Sequence, residues 1–201
     1  MIKAILFDFG NVICSFENQI FLTRISPFTN VPIEVLRKGI YGNGGMTNQL
    51  ESGKLTGAEF MQKVKQITNT PLSHEALVRA YTDVFVPIPS TYALIRSLKG
   101  KYKLGLISNI SDLDYENTLS KNIVLGYFDT ITLSYMVQAL KPDAKIYEDA
   151  LQKLGVQPQE CVFIDDLHEN VKGAKKLGMH AIHYTGHEAL VAALKGLNVS
   201  F

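Results

Sequence analysis

Five short apolar runs separated by helix-length amphipathic stretches constrain the fold of this chain more than any other feature. The runs lie at Lys3 to Phe9, Tyr102 to Ile107, Thr130 to Leu133, Cys161 to Ile164 and His180 to His183. Each is too short for a helix and is bounded by turn residues or charge, the pattern of a strand buried on both faces. Helical periodicity separates or follows them at Thr91 to Leu98, Asp112 to Lys121, Ala144 to Leu154, Asn170 to Leu177 and Glu188 to Leu194. Gly100, Gly155 and Gly178 stand where those helices end. Alternating strand and helix predicts an α/β fold, a doubly wound parallel sheet.

The stretch from about Ser15 to Phe85 breaks the alternation, with helical periodicity and no convincing strand. It reads as an inserted helical cap over 15–85, leaving 1–14 and 86–201 as the core. Thr56-Gly57-Ala58-Glu59 spells a capping box for a helix through Phe60, Val64 and Ile67, and Ser73 can cap the next. Pro32 suits the first turn of an earlier helix containing Val35 and Leu36. An insertion directly after the first strand sits above the carboxyl end of the sheet, where it can act as a lid. Tyr41, Asn43, Met46 and Asn48, around Gly42, Gly44 and Gly45, read equally well as selectivity residues or as loop packing.

At 201 residues and 46% apolar content, the chain can bury a substantial core. A net charge of +1, with no basic cluster, offers no field for nucleic acid or an anionic membrane. No apolar stretch reaches membrane-spanning length and the first residues do not read as a signal peptide, so the cytoplasm is the expected location. Cys14 and Cys161 read as buried thiols rather than a disulfide. The expected partner is a small molecule, bound by a monomer or homodimer.

Four segments fall at strand ends or in the loops after them: Asp8 to Val12, Ser108-Asn109, Lys141-Pro142 and Asp165-Asp166. Ligands of open α/β sheets collect at that edge. A carboxylate attacking a phosphoryl group needs a cation to offset like charge, donors for the phosphate oxygens, and a fixed positive charge. Asp8 is the candidate nucleophile. Asp165 and Asp166 offer the hard oxygen ligands that Mg²⁺ takes, and the Gly10 carbonyl can add another. Ser108, Asn109 and nearby backbone N–H groups are candidate phosphate donors, with Lys141 as the fixed charge.

This ordered set resembles the haloacid dehalogenase superfamily, in particular its phosphatase-like members with a helical cap after the first strand. The matching pieces are the strand ending in Asp8, Leu106 to Asn109, Leu140 to Asp143, and Phe163 to Asp166 with Asn170 following. The resemblance implies a Rossmann-like core and an aspartyl-phosphate on Asp8. It also implies Mg²⁺ held by Asp8, the Gly10 carbonyl and the Asp165-Asp166 pair, with Asp166 favoured as the direct ligand. One departure stands out. Most phosphatases of the superfamily carry an aspartate where this chain has Gly10, as general acid and base. Losing a positioned acid costs on the order of 10²- to 10⁴-fold in rate, least for a leaving group that departs unprotonated. Members with the Asp-x-Gly-Asn arrangement resemble sugar-phosphate phosphatases acting on anomeric phosphates, whose leaving hydroxyl is comparatively acidic.

Two other functions fit part of the pattern. Dehalogenation of a 2-haloacid also uses an aspartate nucleophile without the second acid, but gives the paired carboxylates nothing to do. A catalytically silent protein binding a phosphorylated ligand would keep the phosphate and metal groups. His168 reads as an exposed loop residue. His180 and His183, three apart in a strand, point to opposite faces and cannot chelate together.

Overall fold

The computed structural model describes residues 1–42 and 44–201, so Asn43 of the lid loop lies outside the described residues. Five parallel strands form the central sheet: β1 (Ala4–Phe7), β4 (Lys103–Ser108), β5 (Thr130–Leu133), β6 (Cys161–Asp165) and β7 (His180–His183). Their spatial order is β5-β4-β1-β6-β7, with Ile5 in register with Leu104 on one side and Val162 on the other. β1 is thus paired on both edges and buried throughout.

Period-two alternation divides the strand side chains between two layers. Ile5, Phe7, Leu104, Leu106, Val162 and Ile164 pack with α6 (Pro89–Leu98) and α11 (His187–Gly196). Ala4, Leu6, Cys161 and Phe163 pack on the other side with α9 (Ala144–Leu154) and α10 (His168–Lys176). The α/β doubly wound architecture follows directly from this two-sided burial. Cys14 and Cys161 are buried free thiols. Among the described residues, no helix is long and apolar enough to cross a membrane.

Residues after β1 leave the sheet through a two-residue ribbon, β2 (Cys14–Ser15), antiparallel to β3 (Val86–Pro87). Neither piece has a strand signature in the sequence, because two residues are too few to show alternation. Between them lie α1 (Asn18–Ile25), α2 (Ile33–Tyr41), α3 (Met46–Glu51), α4 (Gly57–Thr68) and α5 (His74–Thr82). They close around their own apolar cluster, including Phe21, Leu36, Leu50, Phe60, Val64 and Leu77. The capping box forms as read: Thr56 N–H donates to Glu59 Oε2 at 2.9 Å and Glu59 N–H to Thr56 Oγ1 at 3.3 Å. Pro32 stands at the N-cap of α2, one position ahead of the expected first turn.

The helix expected over Asp112 to Lys121 ends early, as α7 (Asp112–Asn117), followed by a 3₁₀ turn at Leu119–Lys121. Asn117 donates its amide to the Leu113 carbonyl at 2.8 Å, and this side-chain bond competes with continuation of the helical ladder. A one-turn α8 (Ser134–Val137) follows β5. His168 opens α10 rather than lying in a loop, and is exposed.

Candidate active site

β1, β4 and β6 end side by side, placing Asp8, Ser108 and Asp165 at one edge of the sheet. Asp8 N–H donates to the Ile164 carbonyl at 2.9 Å, so the pairing that orders the sheet also fixes the first residue beyond it. Lys141 enters from the loop before α9. Its ammonium sits 2.6 Å from Asp8 Oδ1 and 2.7 Å from Asp165 Oδ2, and donates to the Ile107 carbonyl at 3.3 Å. All three side chains are buried.

The carboxylates differ in how fully they are engaged. Asp165 Oδ1 accepts from Leu167 N–H at 2.8 Å and Asn170 Nδ2 at 3.0 Å, while Oδ2 accepts from Lys141 and from Asn170 at 3.1 Å. Asp166 is half-buried and accepts one side-chain bond, from Asn11 Nδ2 at 3.2 Å. His183 places Nε2 2.8 Å from the Asp166 backbone oxygen, and His180 is exposed on the same strand. Asp8, Asp165 and Asp166 each offer one oxygen, all within 4.8 Å of one another. An all-oxygen set of this size suits a hard divalent cation.

Burial pushes the Asp8 carboxyl up to about 7, against the opposing pull of Lys141, with Asp165 and Asp166 adding to the rise. Burial alone would lower Lys141, but the carboxylates of Asp8 and Asp165 hold it above its ordinary value. Asp166 is also raised, first by burial, with Asn11 opposing.

Asn109 lies beside Ser108, but its side chain is committed elsewhere. Its Nδ2 donates to the Lys141 carbonyl at 3.2 Å, and its Oδ1 accepts from Lys141 N–H at 2.8 Å. That two-point clamp positions the lysine backbone and engages one of the two amide N–H groups of Asn109. Ser108 and Gly10 line a cavity of about 50 Å³ between core and cap. Its far wall carries Tyr41, Thr47, Glu51 and Tyr81 from the cap, with Asp114 of α7 alongside. Of the lid residues singled out in the sequence, Tyr41 reaches this wall.

Several features of the site have no signal in the sequence. A Cβ placed on Gly10 would lie 2.6 Å from the Phe16 ring, so an aromatic side chain occupies the direction an aspartate there would take. Phe16 packs in turn on Phe85, with ring centroids 5.3 Å apart. Glu51 on the cap and Asp114 on α7 are carboxyls raised to about 8 and about 7, each chiefly by burial. Composition and periodicity treat both as ordinary polar residues, because only the docking of cap on core buries them.

Comparison with known proteins agrees with this geometry. The profile of a family described as haloacid dehalogenase-like hydrolase matches residues 2–178. The chain is 26% identical over 197 residues to the sesquiterpene phosphatase astK of Aspergillus oryzae, covering 97% of this chain and 96% of that one. It is 27% identical over 187 residues to the D-ribitol-5-phosphate phosphatase of Bacteroides thetaiotaomicron, covering 89% of each. A solved HAD family enzyme of Bacteroides thetaiotaomicron, in complex with magnesium and inorganic phosphate, superposes with a TM-score of 0.78 at 26% identity, covering 90% of this chain and 93% of that one. With the profile spanning most of its length, the chain belongs to the haloacid dehalogenase-like hydrolases.

Proposed function

We propose that this protein is a Mg²⁺-dependent phosphatase of a small phosphorylated metabolite, working through an aspartyl-phosphate on Asp8. The observation that carries the reading is the trio of carboxylates beside a buried lysine at the edge of the sheet. The phosphatase names of the relatives and the magnesium and phosphate held by a structural neighbour support it.

Asp8, Asp166 and the Gly10 carbonyl would hold the cation, with Asp165 behind them. Asp165 already accepts four hydrogen bonds, whereas Asp166 has oxygen lone pairs to spare. When bound, Mg²⁺ supplies the charge that lets a phosphate dianion approach this acidic edge. Asp8 attacks phosphorus and the bond to the leaving oxygen breaks. Water then attacks the phosphorus of the aspartyl-phosphate and frees Asp8. Lys141 keeps the nucleophile oriented and offsets charge on the transferring group, and Ser108 donates to a phosphate oxygen. Position 10 offers no acid, so the substrates in view are small esters, anomeric sugar phosphates among them, that draw on no carboxylate there. Dehalogenation gains no support, since a 2-haloacid would bring a fourth carboxylate to three that already crowd within 4.8 Å.

Phosphate release from p-nitrophenyl phosphate tests the reading. Activity should require Mg²⁺, and Asp8→Asn should abolish it; turnover that survives the substitution removes Asp8 as nucleophile.

A further inference from the structure

Phe16 blocks the direction from which an acid at position 10 would serve the leaving oxygen, since a Cβ on Gly10 would come within 2.6 Å of its ring. The opposite wall of the same cavity carries a carboxyl of its own. Glu51, the last residue of α3, faces the space that Gly10, Ser108 and Asn109 line from the core side. Its backbone is tied to the phosphate-side loop through one hydroxyl. Ser134 Oγ donates to the Glu51 carbonyl at 2.6 Å and accepts from Ile110 N–H, two residues past Ser108, at 2.9 Å. A leaving group attached to a phosphate at Asp8 and Ser108 would extend into this cavity, towards Glu51.

We propose that Glu51, supplied by the cap in place of residue 10, is the proton donor to the leaving group. The inference rests on the phosphatase reading and adds a catalytic residue to it. As Asp8 bonds to phosphorus and the bond to the leaving oxygen breaks, the Glu51 carboxyl gives its proton to that oxygen and becomes a carboxylate. In the second half, the carboxylate takes a proton from the attacking water as the bond between Asp8 and phosphorus breaks, which restores both groups.

The charged surroundings favour the form that a donor needs. Burial pushes Glu51 up to about 8; Asp114 and Asp8 add to the rise, and Lys141 opposes it. The titratable groups facing it or lining the same cavity are Glu17 at the N-cap of α1, Tyr41 of α2, Tyr81 of α5, Asp114 of α7, and Lys141 and Asp8 at the strand edge. At neutral pH the carboxyl therefore holds its proton. One consequence concerns substrates: esters of ordinary alcohols come within range, and Gly10 no longer confines the enzyme to anomeric phosphates.

The test compares two esters with Glu51→Gln, which keeps the side-chain shape. Glycerol phosphate, whose alcohol needs a proton to leave, should lose on the order of 10²- to 10⁴-fold in kcat/KM. p-Nitrophenyl phosphate, whose phenolate leaves unaided, should lose less than about threefold in kcat/KM, which excludes hydrolysis of the shared aspartyl-phosphate. Glu51→Asp should recover part of the glycerol phosphate activity. Equal losses on both esters, or none on glycerol phosphate, overturn the assignment while leaving the phosphatase reading intact. Wild-type protein that turns over neither ester overturns both. Should Glu51→Gln fail to fold by circular dichroism, the wild-type pH profile decides: turnover of glycerol phosphate should fall above about pH 8, and a profile parallel to that of p-nitrophenyl phosphate counts against the donor.

Discussion

At the scale of single residues, Lys141 holds more of the strand edge together than its one charge implies. It lies between two buried carboxylates, 2.6 Å from Asp8 and 2.7 Å from Asp165, and removing it leaves both without a counter-charge. Breaking a buried ionic arrangement from one side costs about 3–5 kcal/mol. Lys141→Met should lose stability of that order in urea unfolding without metal, together with phosphatase activity; a loss below about 1 kcal/mol would mean that water already screens the site. Gly10 makes the opposite point, because its backbone does not sit in the left-handed region and can accept a side chain. What stands in the way is the Phe16 ring. Gly10→Asp alone should therefore destabilise by about 1–3 kcal/mol through overpacking and bring no gain on alkyl phosphates. Combined with Phe16→Ala, which clears the space, the aspartate should add less than about 1 kcal/mol to the cost of Phe16→Ala alone, and a single Gly10→Asp that costs nothing would show that Phe16 yields freely.

Among the elements, sequence periodicity located the strands and helices of the sheet to within two residues, apart from α7, which ends at Asn117 rather than Lys121, because two-sided burial and helix caps are written locally. β5, β7 and α9 fall at Thr130–Leu133, His180–His183 and Ala144–Leu154, as their patterns require. Gly105 shows what the pattern cannot carry. In the middle of β4 it looks like a weak point in a strand, yet a Cβ there would lie 2.3 Å from a methyl of Leu6 and 3.1 Å from Leu154. The glycine lets β1 and α9 approach β4 closely, a requirement set by neighbours distant in sequence. Gly105→Ala should cost about 1–3 kcal/mol in urea unfolding. Thr56→Ala, which removes the exposed capping box of α4, should cost about 1 kcal/mol and leave kcat unchanged. Equal costs would mean that the sheet repacks around an added methyl more easily than this geometry allows. Glu51 and Phe16 escape sequence reading for the same reason as Gly105: their roles exist only once cap and core face each other.

Across the whole molecule, stability, proton binding and metal binding are linked at the cleft between cap and core. Asp8 and Asp114 are raised to about 7 and Glu51 to about 8, above the unfolded carboxyl range near 4. The folded chain thus holds protons that the unfolded chain has released, so between about pH 4 and pH 8 stability falls as pH rises. The contribution from these groups is complete below the unfolded values and is lost as pH passes through 7 to 8. A cation held by Asp8 and Asp166 reverses part of that loss, since it binds the ionised form and must displace the proton on Asp8. Ligand binding to the folded state alone raises the unfolding temperature as the ligand concentration exceeds its Kd. Without metal, the melting temperature of the full chain should decline from pH 5.5 to pH 8. The increase produced by millimolar Mg²⁺ should be larger at pH 8 than at pH 5.5, and Asp8→Asn should both flatten the metal-free decline and shrink the Mg²⁺ effect. A Mg²⁺ effect that is larger in acid, or that persists undiminished in Asp8→Asn, would place the bound cation away from the strand edge where Asp8, Lys141 and the paired carboxylates meet.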